Sequence, residues 1–200
     1  MFRMSRVLRH RINTDGEGIV SLVGLMGCPL SCEYCLNQKM LRSKSYYDVS
    51  AEDLLETLMQ DACYMIATNG GVTFGGGEPL LYYKDLLAFA KMKPDWMRLN
   101  IETALQVPSE IVTGLIPYVD SWIVDIKTLD ESLYEKYTKG SIHAMRANLN
   151  ILAVNAADKC LIRIPIIPNF KDKTAADKEQ KAVHRMGFHN TDVFEYTIKI

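Results

Sequence analysis

Short apolar runs alternate with stretches of helical periodicity along this chain. Ile19-Val20-Ser21-Leu22-Val23-Gly24-Leu25-Met26 is a partly β-branched run of buried-strand length. Ser50-Ala51-Glu52-Asp53 reads as a helix start, a capping serine with an acid three residues on. Leu54, Leu55, Leu58, Met59, Ala62 and Ile66 carry that helix to about Thr68, and Asn69-Gly70 closes it. Strands are then predicted at 72–74, 98–102, 118–125, 160–167 and 193–198. Helices are predicted at 82–91, 108–115, 132–137, 145–154 and 174–186. Residues 1–18 read as polar and irregular, with Thr14-Asp15-Gly16-Glu17-Gly18 a loop rich in turn formers.

Strand and helix alternate six times without repeats or an obvious linker. That order implies an α/β fold with one parallel sheet and right-handed crossovers. Six units are too few for a closed eight-stranded barrel. The expectation is a partial (β/α)6 barrel with parallel strands, and a doubly wound sheet is the competitor. The chain is read as a single domain over 1–200, an N-terminal extension at 1–18 followed by the barrel at 19–198.

In parallel α/β folds the reactive groups gather at the carboxyl ends of the strands. Here the unusual polar residues fall at those places. A cysteine loop follows strand one, Gly75-Gly76-Gly77-Glu78 follows strand two, and Glu102-Thr103 ends strand three. Asp125-Ile126-Lys127 ends strand four; Arg163 lies in strand five with Asn169 just past its end. The topology would deliver nearly all of them to one rim.

The cysteine loop carries the most specific signal. Cys28, Cys32 and Cys35 stand at spacings of three and two intervening residues, one thiol short of a closed four-ligand site. They could hold three irons of a four-iron cluster and leave the fourth open. A zinc knuckle completed by His143 or His184 is the plainer alternative. Tyr34, between two cysteines, could lay its ring on a cofactor or pack in the core. The glycine run lets backbone come close to a ligand and offers it N–H and C=O groups, although a strand-to-helix turn would use glycines too. It is no phosphate loop, since the Gly-Lys-Ser/Thr ending is missing. Asp125 and Lys127 share one face of their strand. With Glu102 they suit a polar ligand or a cation, or else a salt bridge. Arg163 in a buried strand needs a partner, either a ligand carboxylate or an acid such as Glu102. Cys63 and Cys160 read as core residues, the histidines take no role, and the methionines fill the core.

Composition narrows the classes. The chain is 48% apolar and 24% charged with a net charge of −1, so nothing global points to nucleic acid or a membrane surface. No apolar run approaches the roughly 18 residues of a spanning helix, and no signal core follows the basic start. Five cysteines, an odd number with no secretory signal, argue for reduced thiols and a cytoplasmic protein.

The thiol spacing with an aromatic before Cys35, followed by Gly76-Gly77-Glu78, resembles the radical S-adenosylmethionine superfamily. Thr14–Ile19, Gly71–Leu81, Val124-Asp125-Ile126-Lys127 and Ile162–Pro168 occur in the order seen in its glycyl-radical-enzyme activating enzymes. The resemblance runs from about residue 12 to 198. It implies a [4Fe–4S] cluster on Cys28, Cys32 and Cys35, with S-adenosyl-L-methionine on the open iron. Gly76, Gly77 and Glu78 would face the methionine amino group and Tyr34 the adenine. Lys127 and Arg163 would contact the cofactor. Glu102, Thr103 and Asp125 match positions that hold a monovalent cation. The implied reaction is reductive cleavage to a 5′-deoxyadenosyl radical, with flavodoxin or ferredoxin as electron donor and a glycyl-radical enzyme as partner. A radical enzyme acting on a small molecule or peptide, and a non-catalytic zinc or electron-transfer protein, are the other readings.

This sequence departs from the family pattern in places. Glu102-Thr103-Ala104-Leu105 stands where Asp-Thr-Asn-Gly is common, and Val20 where an arginine is usual. The chain stops at Ile200, short of a Tyr-His segment and helix that typical activating enzymes add, and it has no second cysteine cluster.

Overall fold

The structure, a computed structural model, describes residues 1–196. Six strands run parallel in chain order: β2 (Ile19–Leu25), β4 (Gly71–Gly76), β5 (Arg98–Thr103), β6 (Ser121–Asp125), β7 (Cys160–Ile166) and β8 (Thr191–Glu195). A doubly wound sheet reverses its strand order at a switch point. This one never does, and β8 does not pair back to the first strand, so the sheet is an open partial barrel as expected. The predicted last strand ends early, and its residues 197 and 198 lie outside the described ones.

The N-terminal segment departs from expectation. Instead of irregular chain, β1 (Phe2–Ile12) pairs antiparallel with β2 and with a short β3 (Tyr47–Val49), extending the sheet to eight strands. Phe2 and Met4 point into the core, and Phe2 stacks on Phe74 at 5.2 Å. The arginines that disguised the strand find acids: Arg3 meets Asp48 at 3.0 Å and Arg9 meets Asp61 at 2.6 Å, both distant in sequence, and Arg11 meets Asp15, four residues on, at 2.5 Å. The turn after β1 folds under the barrel. Thr73 Oγ1 donates to the Asp15 carbonyl, and Asn100 Nδ2 donates to Thr73 Oγ1 at 3.2 Å.

The long helix expected over 50–68 is two, α2 (Ala51–Met59) and α3 (Ala62–Thr68), after a one-turn α1 (Gln38–Leu41). Ser50 caps α2 by accepting from the Asp53 amide at 3.0 Å, and Asn69 closes α3 in the left-handed region at φ 54°. The break falls at Asp61, whose buried carboxylate is drawn toward Ser21 Oγ at 2.8 Å and Arg9. Helices α4 (Tyr83–Met92), α5 (Ser109–Leu115), α6 (Glu131–Thr138), α7 (His143–Asn155) and α8 (Lys173–Arg185) cover the outside of the sheet. Cys160 is buried as expected; Cys63, expected in the core, is exposed. Among the described residues no helix is long and apolar enough to cross a membrane.

Candidate active site

One cavity opens at the carboxyl ends of the strands. Cys28, Cys32, Tyr34, Cys35, Gly76, Gly77, Glu78, Glu102, Thr103, Asp125, Lys127 and Arg163 all line it. The three cysteines, the glycine-turn residues and the strand-end charges therefore share one space, although the residues come from five separate strand ends. Asn169 does not line it and is exposed, at φ 66°. His143 and His184 are exposed elsewhere, beside Glu131 and Thr191, so neither completes a zinc knuckle.

Backbone hydrogen bonds position the cysteine loop. Gly77 N donates to Leu25 O at 2.9 Å and Glu78 N donates to Gly27 O at 2.8 Å. A Cβ on Gly77 would collide with the Gly27 carbonyl, and Gly27 and Gly76 take φ values of +83° and +91° that side chains resist. Two N–H groups that could have met a ligand are thus already used to join the glycine turn to the cysteine loop. Asn37 Nδ2 donates to Gly76 O at 2.8 Å and ties down the far end of the loop. On its other flank, Ser31 N and Glu33 N donate to the Thr138 and Tyr137 carbonyls at 2.8 and 3.1 Å. Burial pushes the Cys28 thiol up to about 11 and raises that of Cys32 as well. Taking up a metal must release those protons.

Glu78 joins two strand ends. Its carboxylate accepts from Thr103 Oγ1 at 2.7 Å, Ala104 N at 3.0 Å and Leu80 N at 3.2 Å. Burial outweighs these bonds and pushes it up to about 7. Burial, with Asp125 alongside, pushes Glu102 up to about 7 as well.

Opposite lies a charged wall. Glu102 takes Arg163 at 3.1 Å, and Asp125 takes Lys127 at 3.0 Å. The two carboxylates expected at a cation are therefore each matched to an internal cation. Burial works against the Lys127 charge, yet Asp125 and Tyr196 beside it hold its pKa raised. Pattern reasoning missed three groups here. Tyr137 and Phe170 flank Tyr34, at ring distances of 6.3 and 5.8 Å. Phe194 lies under the Arg163 guanidinium at 4.7 Å, and Tyr196 packs on it. Behind the wall, the buried pair Lys171–Glu179 at 2.6 Å holds Thr128 Oγ1 and Leu129 N, fixing the segment just after Lys127. Tyr137 and Phe170 sit in helix and loop positions that strand-end reasoning does not reach, and Phe194, at the end of β8, carries no polar mark. Glu179, on a helix of alternating charges, carries no mark of burial.

The chemistry of the cavity asks for a polar guest. Among the described residues Asp125 Oδ1 and Tyr137 Oη are buried without a hydrogen-bond partner, a condition that costs about 1–3 kcal/mol per group unless a ligand or water relieves it. Three thiols on one side and two carboxylate–cation pairs on the other fit an inorganic centre next to a small zwitterion. They define a cofactor-dependent α/β barrel.

Residues 23–179 match the Radical SAM superfamily, and the chain belongs to that superfamily. Proteins of this superfamily use a [4Fe–4S] cluster and S-adenosylmethionine. The (2S)-3-sulfopropanediol dehydratase activating enzyme of Klebsiella oxytoca is 35% identical over 125 residues, 62% of this chain and 39% of that protein. The pyruvate formate-lyase 2-activating enzyme of Escherichia coli (strain K12) is 26% identical over 199 residues, 84% of this chain and 68% of that one. The chain thus spans between 39% and 68% of these curated relatives. Among solved structures, Streptococcus suis SuiB bound to S-adenosylmethionine superposes with a TM-score of 0.66 at 18% identity, covering 86% of this chain and 39% of SuiB, a likeness of fold.

Proposed function

We propose that the protein is a radical enzyme that reductively cleaves S-adenosylmethionine and uses the radical to abstract hydrogen from a glycine of a partner glycyl-radical enzyme. The observation that carries this reading is the meeting, in one cavity, of the three-cysteine loop with Glu78, Glu102, Asp125, Lys127 and Arg163. The kind of partner is supported by the relatives, which are activating enzymes.

In this reading Cys28, Cys32 and Cys35 would hold the cluster, which would supply the electron for reductive cleavage of S-adenosylmethionine. The chain's own residues orient and shield. Gly76, Gly77 and Glu78 border the amino end of the ligand, and Thr103 keeps the Glu78 carboxylate turned toward the β5 end. Lys127 and Arg163 contact the ligand and offer positive charge to its carboxylate. Tyr34, Tyr137 and Phe170 form an apolar rest for a flat base. Glu102 and Asp125 are the candidate ligands of a monovalent cation, to the extent that a bound zwitterion draws Arg163 and Lys127 away from them. The electron comes from an external low-potential carrier of the flavodoxin or ferredoxin kind, in the cytoplasm. Residues 1–200 act as one radical SAM domain.

Anaerobic reconstitution tests this. The expected result is about four irons per chain, release of 5′-deoxyadenosine under reduction, and a protein radical doublet on mixing with a candidate glycyl-radical enzyme. Cys32→Ala should abolish the cleavage. One zinc and no iron would sink the reading, and hydrogen transferred only from a small metabolite would redirect it to another substrate.

A further inference from the structure

The cysteine loop is flanked on both sides by exposed positive charge. On one flank, α1 and the turn after it carry Lys39, Arg42 and Lys44, and no acid occurs between Glu33 and Asp48. All three are exposed, and among the described residues none enters an ion pair. Gln38 N donates to Cys35 O at 3.2 Å, so this basic turn continues directly from the last cysteine. The other flank is the carboxyl end of α6, whose Tyr137 and Thr138 carbonyls hold the loop. It presents Lys136 and Lys139, both exposed, with Lys136 over Phe170 at 5.7 Å and Lys139 bonded to the Lys136 carbonyl at 2.7 Å. Glu33 and Glu135 stand among these five cations, while the neighbouring Asp48 is taken up by Arg3 and Glu131 by Arg146, in a chain whose net charge is −1. At the centre Leu36, next to Cys35, is 73% exposed, and Leu81 is 51% exposed.

We propose that this basic collar around the cysteine loop is the docking face for an acidic, low-potential one-electron carrier protein. The inference rests on the radical reading of the site, which requires one electron from outside for each cleavage: the carrier is oxidised by one electron and the centre held by Cys28, Cys32 and Cys35 is reduced by one. Charge complementarity is what selects this occupant. Redox encounters are small and transient, so they depend on electrostatic steering and a small apolar contact rather than a large dry interface. A collar of long cations around the exposed Leu36 and Leu81 has that character. The glycine-bearing loop of a radical partner must instead enter the cavity itself, past the Arg163 and Phe194 wall.

The test uses the reconstituted holoenzyme and the triple variant Lys39→Glu/Arg42→Glu/Lys44→Glu, with a flavodoxin as probe. Binding of the oxidised flavodoxin is measured at low and at physiological ionic strength. Bleaching of the cluster is then timed with flavodoxin hydroquinone and with dithionite. The expected result is binding weakened about tenfold or more and a flattened salt dependence, with slower bleaching by flavodoxin and unchanged bleaching and cleavage with dithionite. A second variant, Lys136→Glu/Lys139→Glu, should weaken binding in the same direction, and a thermal melt checks that both fold. Unchanged flavodoxin binding in both variants overturns the proposal. So does lost affinity for a glycyl-radical partner with flavodoxin binding intact. If dithionite drives no S-adenosylmethionine cleavage even in the parent, the reading of the site fails instead, and the docking face falls with it.

Discussion

On the β2–β4 side of the cavity the backbone does the holding; on the β6–β8 side, side chains do. The first side is glycine and cysteine, joined by amide–carbonyl bonds from Gly77 to Leu25 and from Glu78 to Gly27. The second is Asp125, Lys127 and Arg163, set by charge and backed by Phe194, Tyr196 and the Lys171–Glu179 pair. A backbone-built wall tolerates almost no added atoms, and the amide–carbonyl bonds that join it do not themselves titrate. A charge-built wall can change shape when a ligand carboxylate enters, because each of its cations can exchange one carboxylate for another. The difference suits a fixed inorganic centre facing an exchangeable small molecule.

The comparison can be broken by intervening on each side. The largest effect belongs to Gly77→Ala on the backbone side. The new methyl meets the Gly27 carbonyl, so the cysteine loop must move away from the glycine turn. Cleavage of S-adenosylmethionine should fall on the order of 100-fold, with a matching loss of bound iron by metal analysis. If Gly77→Ala loads iron normally, the loop is held by something other than these bonds.

Next is Lys127→Met on the charged side. It leaves Asp125 buried without its cation and should cost about 3 kcal/mol in chemical denaturation. Adding Asp125→Asn should recover a large part of that loss, because the uncompensated charge is then gone. Equal losses in the single and double variants would mean that Lys127 acts through packing alone.

A smaller effect comes from Glu78, which sits where the two sides meet. Its folded pKa of about 7 lies above the usual 4.5, so the folded protein binds a proton more tightly than the unfolded chain. That contribution is fully present below about pH 4.5 and is lost as pH rises through about 7. The ligand-free parent should therefore lose stability relative to Glu78→Gln across that window. Parallel stability-against-pH curves for the two proteins would show that Glu78 ionises normally. The smallest effect is remote from both walls: Ser50→Ala removes the cap on α2 and should cost about 1 kcal/mol without touching cleavage.

The two walls were also unequally legible in the sequence. Thiol spacing and a glycine run are local signals, so the backbone-built side could be read as motifs, down to the residues. Glu102, Asp125, Lys127 and Arg163 could be named as polar residues at strand ends, with Glu102 one of two candidate partners for Arg163. Which partner each charge takes needed the folded sheet, where Arg163 lies 3.1 Å from Glu102 and Lys127 3.0 Å from Asp125. The parallel order of six strands followed from alternation alone. Strand β1 was hidden because its arginines look like a solvated tail until Asp15, Asp48 and Asp61, all distant along the chain or folded back on it, are seen to neutralise them. The aromatic rest around Tyr34 was hidden for a related reason. Tyr137 and Phe170 come together only when α6 and the loop after β7 pack, and neither ring carries a polar mark at a strand end.

The two amides of Gly77 and Glu78 are also natural reporters. Both are bonded to the chain around the cysteine loop, so they can exchange with heavy water only when the ends of β2 and β4 part. Slow exchange there in the iron-free protein would mean that the loop is ordered during folding of the sheet, so cluster assembly begins with the three thiols already held close together.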